Sequence, residues 1–217
     1  MLSVSLFIFD LDGTLVNTLE DITASLNYTL TALGRPQLPP DTVRQYVGDG
    51  LTMLLSRALG GSQELLGEAR GIYAAHHGRN LLARSQLYPG VRETLEHFKA
   101  VPMAVISNKA TEFVEPLLRG LGIAHYFRSV VGADRGLPLK PAPDAVLTIM
   151  AAFGAPRERT VMVGDGTTDV KAGKAAGVIT CAVTYGFRSE AELRQAGPDH
   201  ILHDFAGLMD LFRPATG

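Results

Sequence analysis

Two carboxylates open the chemistry of this chain. Asp10 and Asp12 close an apolar run in Phe9-Asp10-Leu11-Asp12-Gly13-Thr14. Residues two apart on an extended chain point to one side, roughly 7 Å apart along the strand, and Gly13 permits a sharp bend beyond them. Asp and Gly are also common at a plain strand-to-turn boundary, so the pair alone proves no site. A second cluster, Gly164-Asp165-Gly166-Thr167-Thr168-Asp169, again follows an apolar run. Here Asp165 falls at a strand tip and Asp169 in the first turn of a helix. Complementing the helix dipole, worth about 0.5 kcal/mol, would account for Asp169 but not for Asp165. Four carboxylates converging on one crevice repel unless a cation neutralises them, and hard oxygen ligands with room for water suit Mg²⁺. Ser107-Asn108-Lys109 adds a hydroxyl and open backbone N–H groups fit to cradle a phosphate. Lys140, followed by Pro141 and Pro143, adds a cation on a stiff segment. In isolation a loop cap and a solvated lysine explain these last two.

The elements that must position these residues are legible as periodicity. Apolar runs at 4–9, 102–106, 127–131, 160–163 and 178–183 read as buried strands. Helical spacing separates the later ones: from an N-cap at Thr111 to residue 121, over 143–153, and over 167–176 with Gly177 as the stop. This alternation predicts an α/β fold with a doubly wound, Rossmann-like parallel sheet. Residues 18–87 break the rhythm, with helical patterns at 18–33, 41–47, 51–59 and 62–82 and breaks at 34–40 and 48–50. A crossover needs only one helix, so the spacing predicts an inserted all-α cap domain over residues 17–87. The catalytic core is then 1–16 plus 88–217, and the cap sits over the sheet's C-terminal edge. Ligands of open α/β sheets bind beyond the carboxyl ends of the strands. All four stretches fall there, and together they compose a phosphoryl-transfer site.

Composition narrows the class. With 46% hydrophobic and 19% charged residues and a net charge of −2, the chain can bury a full core. The near-neutral balance argues against nucleic acid or a lipid surface as partner, and no apolar run approaches the roughly 18 residues of a membrane span. Acidic Asp10 and Asp12 interrupt the apolar N-terminus before a signal peptide could finish. The single cysteine, Cys181, excludes an intrachain disulfide, and a cytoplasmic setting is the expectation. Cys181 reads as a small core residue. His76 and His77, about 100° apart on a helix, cannot both ligate one ion well, and His200 and His203 flank an ordinary loop; all four read as surface or packing residues.

With these motifs in hand, the chain resembles the haloacid dehalogenase-like hydrolases end to end. The likeness rests on Asp10-Leu11-Asp12-Gly13-Thr14-Leu15, Ser107-Asn108-Lys109, Lys140-Pro141-Ala142-Pro143 and Val163-Gly164-Asp165 through Asp169. Tyr88-Pro89-Gly90-Val91 and Lys171 through Gly177 extend it. Val47-Gly48-Asp49-Gly50 and Arg57-Ala58-Leu59-Gly60 are similar to the phosphoglycolate phosphatases within that family. Asn17 and Gly166 depart from it, standing where many relatives have Asp and Ser. The resemblance implies that Asp10 attacks phosphorus to form an aspartyl-phosphate, and that Asp12 protonates the leaving alcohol and then activates water. It also implies Mg²⁺ on the Asp10 side chain, the Asp12 carbonyl and the Asp165 side chain, with Asp169 acting through water. Thr14, Ser107 and the Asn108 backbone would hold the phosphate of a small phosphorylated metabolite, Lys140 would face its charge, and the helical insert would be a lid.

Within the lid, Gly48 and Gly50 can bring backbone N–H groups to a ligand, and Arg44 is the expected cation for a substrate carboxylate. The same glycines could simply end one helix and start another, with Arg44 solvated and Asp49 fixing Arg44 or the loop. Phosphosugars, nucleotides or pyrophosphate are alternative substrates. A phosphomutase, a dehalogenase and a non-catalytic phosphate-binding protein are the competing classes.

Overall fold

The computed structural model describes residues 1–215, with an accessible surface of 9622 Å². The chain begins with β1 (Leu2–Val4), β2 (Leu6–Phe9) and β3 (Val16–Asn17). Four helices follow, α1 (Leu19–Ala32), α2 (Pro40–Tyr46), α3 (Leu51–Ala58) and α4 (Leu66–Arg79), before β4 (Gln86–Leu87). Then come α5 (Val91–His97), β5 (Met103–Ile106), α6 (Thr111–Gly120), β6 (Ser129–Val131) and α7 (Asp144–Phe153). The chain ends with β7 (Thr160–Gly164), α8 (Thr167–Ala176), β8 (Ile179–Val183), α9 (Glu190–Ala196), β9 (His200–Leu202), α10 (Leu208–Leu211) and β10 (Phe212–Pro214).

Six strands make one parallel sheet in the order β6-β5-β2-β7-β8-β9. This is the doubly wound α/β architecture. Strands β2, β5 and β7 are buried along their whole length, because helices cover both faces. One face packs Phe7, Phe9, Phe98 and Phe205 with the helices α5 and α6; the other packs Leu6, Ile8 and Met162 against α7 and α8. The switch in strand order falls at β2, between β5 and β7. Its neighbours therefore diverge in connectivity where β2 ends, which opens the crevice that doubly wound sheets use for ligands.

The four helices α1 to α4 lie between β3 and β4, which pair antiparallel through Val16 with Leu87 and Asn17 with Gln86. That two-stranded neck is reinforced by Asp21, whose carboxylate accepts from the Arg84 and Ser85 amides and the Ser85 hydroxyl. The insert has its own apolar centre of Leu26, Leu30, Val43, Leu55 and Tyr73, joined by Phe187 from the loop after β8. Among the described residues no helix is long and apolar enough to cross a membrane.

Several boundaries differ from expectation for local physical reasons. The run 4–9 is two strands, because Ser5 turns away to donate to the Arg159 carbonyl at 2.8 Å, and β1 pairs with β10 outside the main sheet. The run 127–131 begins as strand only at Ser129, since Phe127 closes a 3₁₀ turn. Thr111 is not the N-cap of α6. Its amide and hydroxyl both donate to Asp134, at 2.8 and 2.6 Å, so an acid from a later loop caps the helix. His200 does not flank a loop; it starts β9.

Candidate active site

The site is built at the carboxyl ends of β2, β5 and β7, and the insert roofs it. Asp10 follows β2 directly, Ser107 and Asn108 follow β5, and Asp165 follows β7. Together with residues of α2, α3 and α4 they enclose a cavity of about 480 Å³. Its floor is formed by Asp10, Asp12, Lys109, Lys140, Asp165 and Asp169.

Asp10, Asp165 and Asp169 each offer an oxygen within 4.8 Å of the others. Three glycines make this crowding possible. A methyl at Gly13 or Gly186 would run into the Asp165 carboxylate, and one at Gly164 into Asp169. Gly13 also has φ +90°, a conformation that side chains rarely adopt. The Lys140 ammonium, 4% exposed as a residue, lies 2.6 Å from Asp10 Oδ1 and 2.6 Å from Asp169 Oδ1, and donates to the Ile106 carbonyl at 3.0 Å. Burial, and then the Asp169 and Asp165 charges, push Asp10 well above the ordinary carboxylate range against the pull of Lys140. Burial and Asp169 push Asp165 up to about 7, although the Phe187 amide donates to its Oδ2 at 2.6 Å and the Thr14 hydroxyl to its Oδ1 at 3.1 Å. Asp169 Oδ2 accepts from the Gly166 amide at the start of α8. Its Oδ1 is buried and makes no aligned hydrogen bond. Three crowded, buried carboxylates with a single ammonium, Lys140, among them are a donor set short of positive charge, which fits a hard divalent cation such as Mg²⁺.

Asp12 is kept apart from this trio. Its Oδ1 accepts from Lys109 Nζ at 2.6 Å and from the Thr18 hydroxyl at 2.6 Å. Burial alone would raise Asp12, but Lys109, and then Thr18, hold it below the usual range. Lys109 was quoted in the sequence only as part of a motif; its partner lies 97 residues away.

The other expected residues fall in varied places. Ser107 lines the cavity, and its hydroxyl accepts from the Lys109 amide at 3.2 Å. Asn108 lines it too, but its amide is engaged: Oδ1 accepts from the Lys140 amide at 3.0 Å, and Nδ2 donates to the Lys140 and Gly48 carbonyls, both at 2.9 Å. One side chain thus fixes the Lys140 backbone and ties the insert to the core. Thr14 is wholly buried behind Asp165 and off the cavity wall, because its hydroxyl is spent on that carboxylate. Asp169, expected to act through water, brings an oxygen within 4.8 Å of one on Asp10, as Asp165 does. Gly48 and Gly50 line the roof, where the Gly48 carbonyl is occupied by Asn108.

Arg44 is corrected. It is exposed and off the cavity wall, at the end of α2. The roof cations are Arg57, paired with Asp49 at 2.5 Å, and Arg188, from the loop after β8. Asp49 therefore fixes Arg57 rather than Arg44. His77 is buried in the cavity wall against Phe113 and Tyr73; burial, and then Lys109, push it down to about 3, so it is neutral. Cys181 is buried in β8, and burial pushes its thiol up.

The comparisons with known proteins agree with this geometry. Residues 7–183 match the model of the haloacid dehalogenase-like hydrolase family. The Haemophilus influenzae protein named phosphoglycolate phosphatase is 36% identical over 94% of this chain and 96% of its own length. The Pseudomonas aeruginosa protein named phosphoglycolate phosphatase 1 is 38% identical over 94% of this chain and 78% of its own. A solved Haemophilus somnus structure, described as a predicted phosphoglycolate phosphatase, superposes with a TM-score of 0.93 at 33% identity, covering 97% of this chain and 99% of that one. The strand tip that bears Asp10, the acidic trio and the helical roof all lie within residues 7–183, the span of the family match, and the chain belongs to the haloacid dehalogenase-like hydrolases.

Proposed function

We propose that the chain is a Mg²⁺-dependent phosphomonoester hydrolase that works through an aspartyl-phosphate on Asp10 and acts on 2-phosphoglycolate. The observation that carries this reading is the floor of the cavity. One carboxylate at a strand tip is held 2.6 Å from a buried lysine, beside two further acids, while a separate acid is held in reserve by Lys109 and Thr18. The relatives named for phosphoglycolate support the substrate.

Each residue has a chemical task. Asp10 needs no activating base, since a carboxylate is already nucleophilic once ionised. Its Oδ1 is oriented by Lys140, which also faces the charge that builds on the equatorial phosphoryl oxygens. Mg²⁺ held by Asp10, Asp165 and Asp169 would supply the charge that keeps these acids ionised and offsets the phosphate dianion. Asp12 takes the proton role because it is not spent on that cluster: held ionised by Lys109 and Thr18, it takes up the proton of a phosphomonoester monoanion, passes it to the departing alkoxide, and, ionised again, accepts a proton from the attacking water. Asn108 keeps the Lys140 backbone in place, and the insert excludes water while the phosphoryl group moves.

The test is release of inorganic phosphate from phosphoglycolate, ethyl phosphate, phosphosugars, nucleotides and pyrophosphate, each with Mg²⁺ or with EDTA. Phosphoglycolate should give the highest kcat/KM, EDTA should stop turnover, and Asp10→Asn should abolish it while the protein stays folded. A tenth of wild-type activity in Asp10→Asn would sink the aspartyl-phosphate route. A phosphosugar, nucleotide or pyrophosphate outcompeting phosphoglycolate would sink the substrate alone.

A further inference from the structure

Four cations line the cavity: Arg57, Lys109, Lys140 and Arg188. Three are matched by acids. Lys109 pairs with Asp12, Lys140 with Asp10 and Asp169, and Arg57 with Asp49. Among the described residues no carboxylate forms an ion pair with Arg188. Glu192, also on the wall, is turned to its own helix start, where it accepts from the Ser189 amide and hydroxyl at 2.9 and 2.6 Å.

Arg188 instead reaches across from the core to the lid. Its Nη1 donates to the Arg44 carbonyl at 3.0 Å, and its Nη2 to the Val47 carbonyl. These are carbonyls at the C-terminal end of α2, which have no partner within the helix and carry its negative dipole. A guanidinium has five N–H donors, so two bonds leave the fork partly open. The residue before it continues the strap. The Phe187 amide donates to Asp165, and its ring packs among the lid's apolar side chains. One short loop therefore links the acidic floor, the lid and an unmatched cation on the cavity wall.

We propose that Arg188 is the specificity-determining residue of this site, receiving the carboxylate of an anionic phosphomonoester while it clasps the lid carbonyls of Arg44 and Val47. The inference rests on the reading of the site as a phosphomonoesterase for a substrate with a second anion. A carboxylate entering the roof gives an ion-pair partner to the one cavity cation that has none among the described residues, at the point where the lid is fastened. Substrates without that group leave Arg188 on the lid carbonyls alone.

The experiment compares phosphoglycolate with ethyl phosphate, which lacks the carboxylate, in the Mg²⁺-loaded wild type, Arg188→Ala and Arg188→Lys. Loss of a charge-assisted contact should lower the ratio of the two kcat/KM values by about 10- to 100-fold in Arg188→Ala. Arg188→Lys, which keeps the charge but not the fork, should recover part of that ratio. The ratio is read within one protein, so a partly folded variant lowers both numbers and leaves it intact. A parallel fall for both substrates would mean that Arg188 only fastens the lid, and the proposal fails. A wild type that prefers phosphoglycolate, with the preference kept in Arg188→Ala, overturns Arg188 but not the substrate. A wild type without that preference overturns both.

Discussion

On the proposed function, protons and Mg²⁺ compete for the floor of this cavity, and the competition has a sign and a size. Burial and Asp169 push Asp165 up to about 7, against roughly 3.9 in an unfolded chain. A carboxyl raised on folding holds a proton that the unfolded chain has released. Its contribution to metal-free stability is therefore present below about pH 3.9 and is lost as the pH rises through 7. A cation needs the same oxygen deprotonated. At pH 5 the proton weakens binding on the order of 100-fold, and at pH 8 hardly at all, so the Mg²⁺-induced gain in stability should be roughly 2 to 3 kcal/mol larger at pH 8. Asp10, raised in the same direction, adds to it. His77, pushed down to about 3, works oppositely on absolute stability, but it is common to both arms and cancels in the difference. Urea unfolding with EDTA or with fixed Mg²⁺, at pH 5 and pH 8, reads this directly. With a slope of about 1–3 kcal/mol per molar, the Mg²⁺-induced midpoint shift should grow by about 1 M between the two pH values. The same shift at both pH values, or no shift at either, would refute the argument that these acids share one cation. Asp165→Asn should flatten the difference.

Two further outcomes follow from the same contacts. Lys140→Ala should cut kcat by about 100- to 1,000-fold with a small change in KM, because the ammonium faces charge that builds in the transition state; steady-state kinetics showing a pure KM effect would demote it to docking. Gly13→Ala forces a methyl into the Asp165 carboxylate at φ +90°, so both stability and turnover should fall. Gly34→Ala, at φ +66° with nothing within 4 Å of the added methyl, should cost about 1–2 kcal/mol in thermal or urea unfolding and leave kcat alone. Equal kinetic damage from both would show that strain rather than the Asp165 contact is responsible.

The strand tips were legible in the sequence because burial on both faces of a parallel sheet writes continuous apolar runs, each ended by the residues that face the crevice. The stop of α8 at Gly177 was legible for a local reason too, since the chain turns there at φ +75°. Contacts across the chain were not legible. Lys109 reaches Asp12, and Arg188 reaches the lid 141 and 144 residues away, through strand order and lid placement that no local spacing encodes. Arg44 illustrates the limit. It sits one turn before the lid glycines, where a cation for the substrate seemed apt, but its side chain is exposed and it contributes only its carbonyl to the site. The structural task of the Asn108 side chain was equally hidden, since it holds the Lys140 backbone and the Gly48 carbonyl, which lie 32 and 60 residues away. Strand β9 escaped notice because three residues opening on a histidine carry no apolar run.

The floor's charge balance explains why a cation, and not the lysines, must govern which ligands enter. Asp10, Asp12, Asp165 and Asp169 carry four negative charges when ionised, and Lys109 and Lys140 return two, which leaves −2. Both lysines are already committed to acids at 2.6 Å. Each pair of unit charges 4 Å apart at an effective dielectric near 20 costs or gains about 4 kcal/mol, so a phosphate dianion meeting a floor at −2 is rejected rather than bound. Protonating Asp10 and Asp165 would remove the excess but would also disable the nucleophile. A divalent cation removes it and leaves Asp10 ionised. On the proposed function, a bound cation is what offsets the crowding of three buried carboxylates within 4.8 Å. Displacement at a carbon–halogen bond needs neither that cation nor the separate acid at Asp12, so the arrangement favours phosphoryl transfer over dehalogenation within the family.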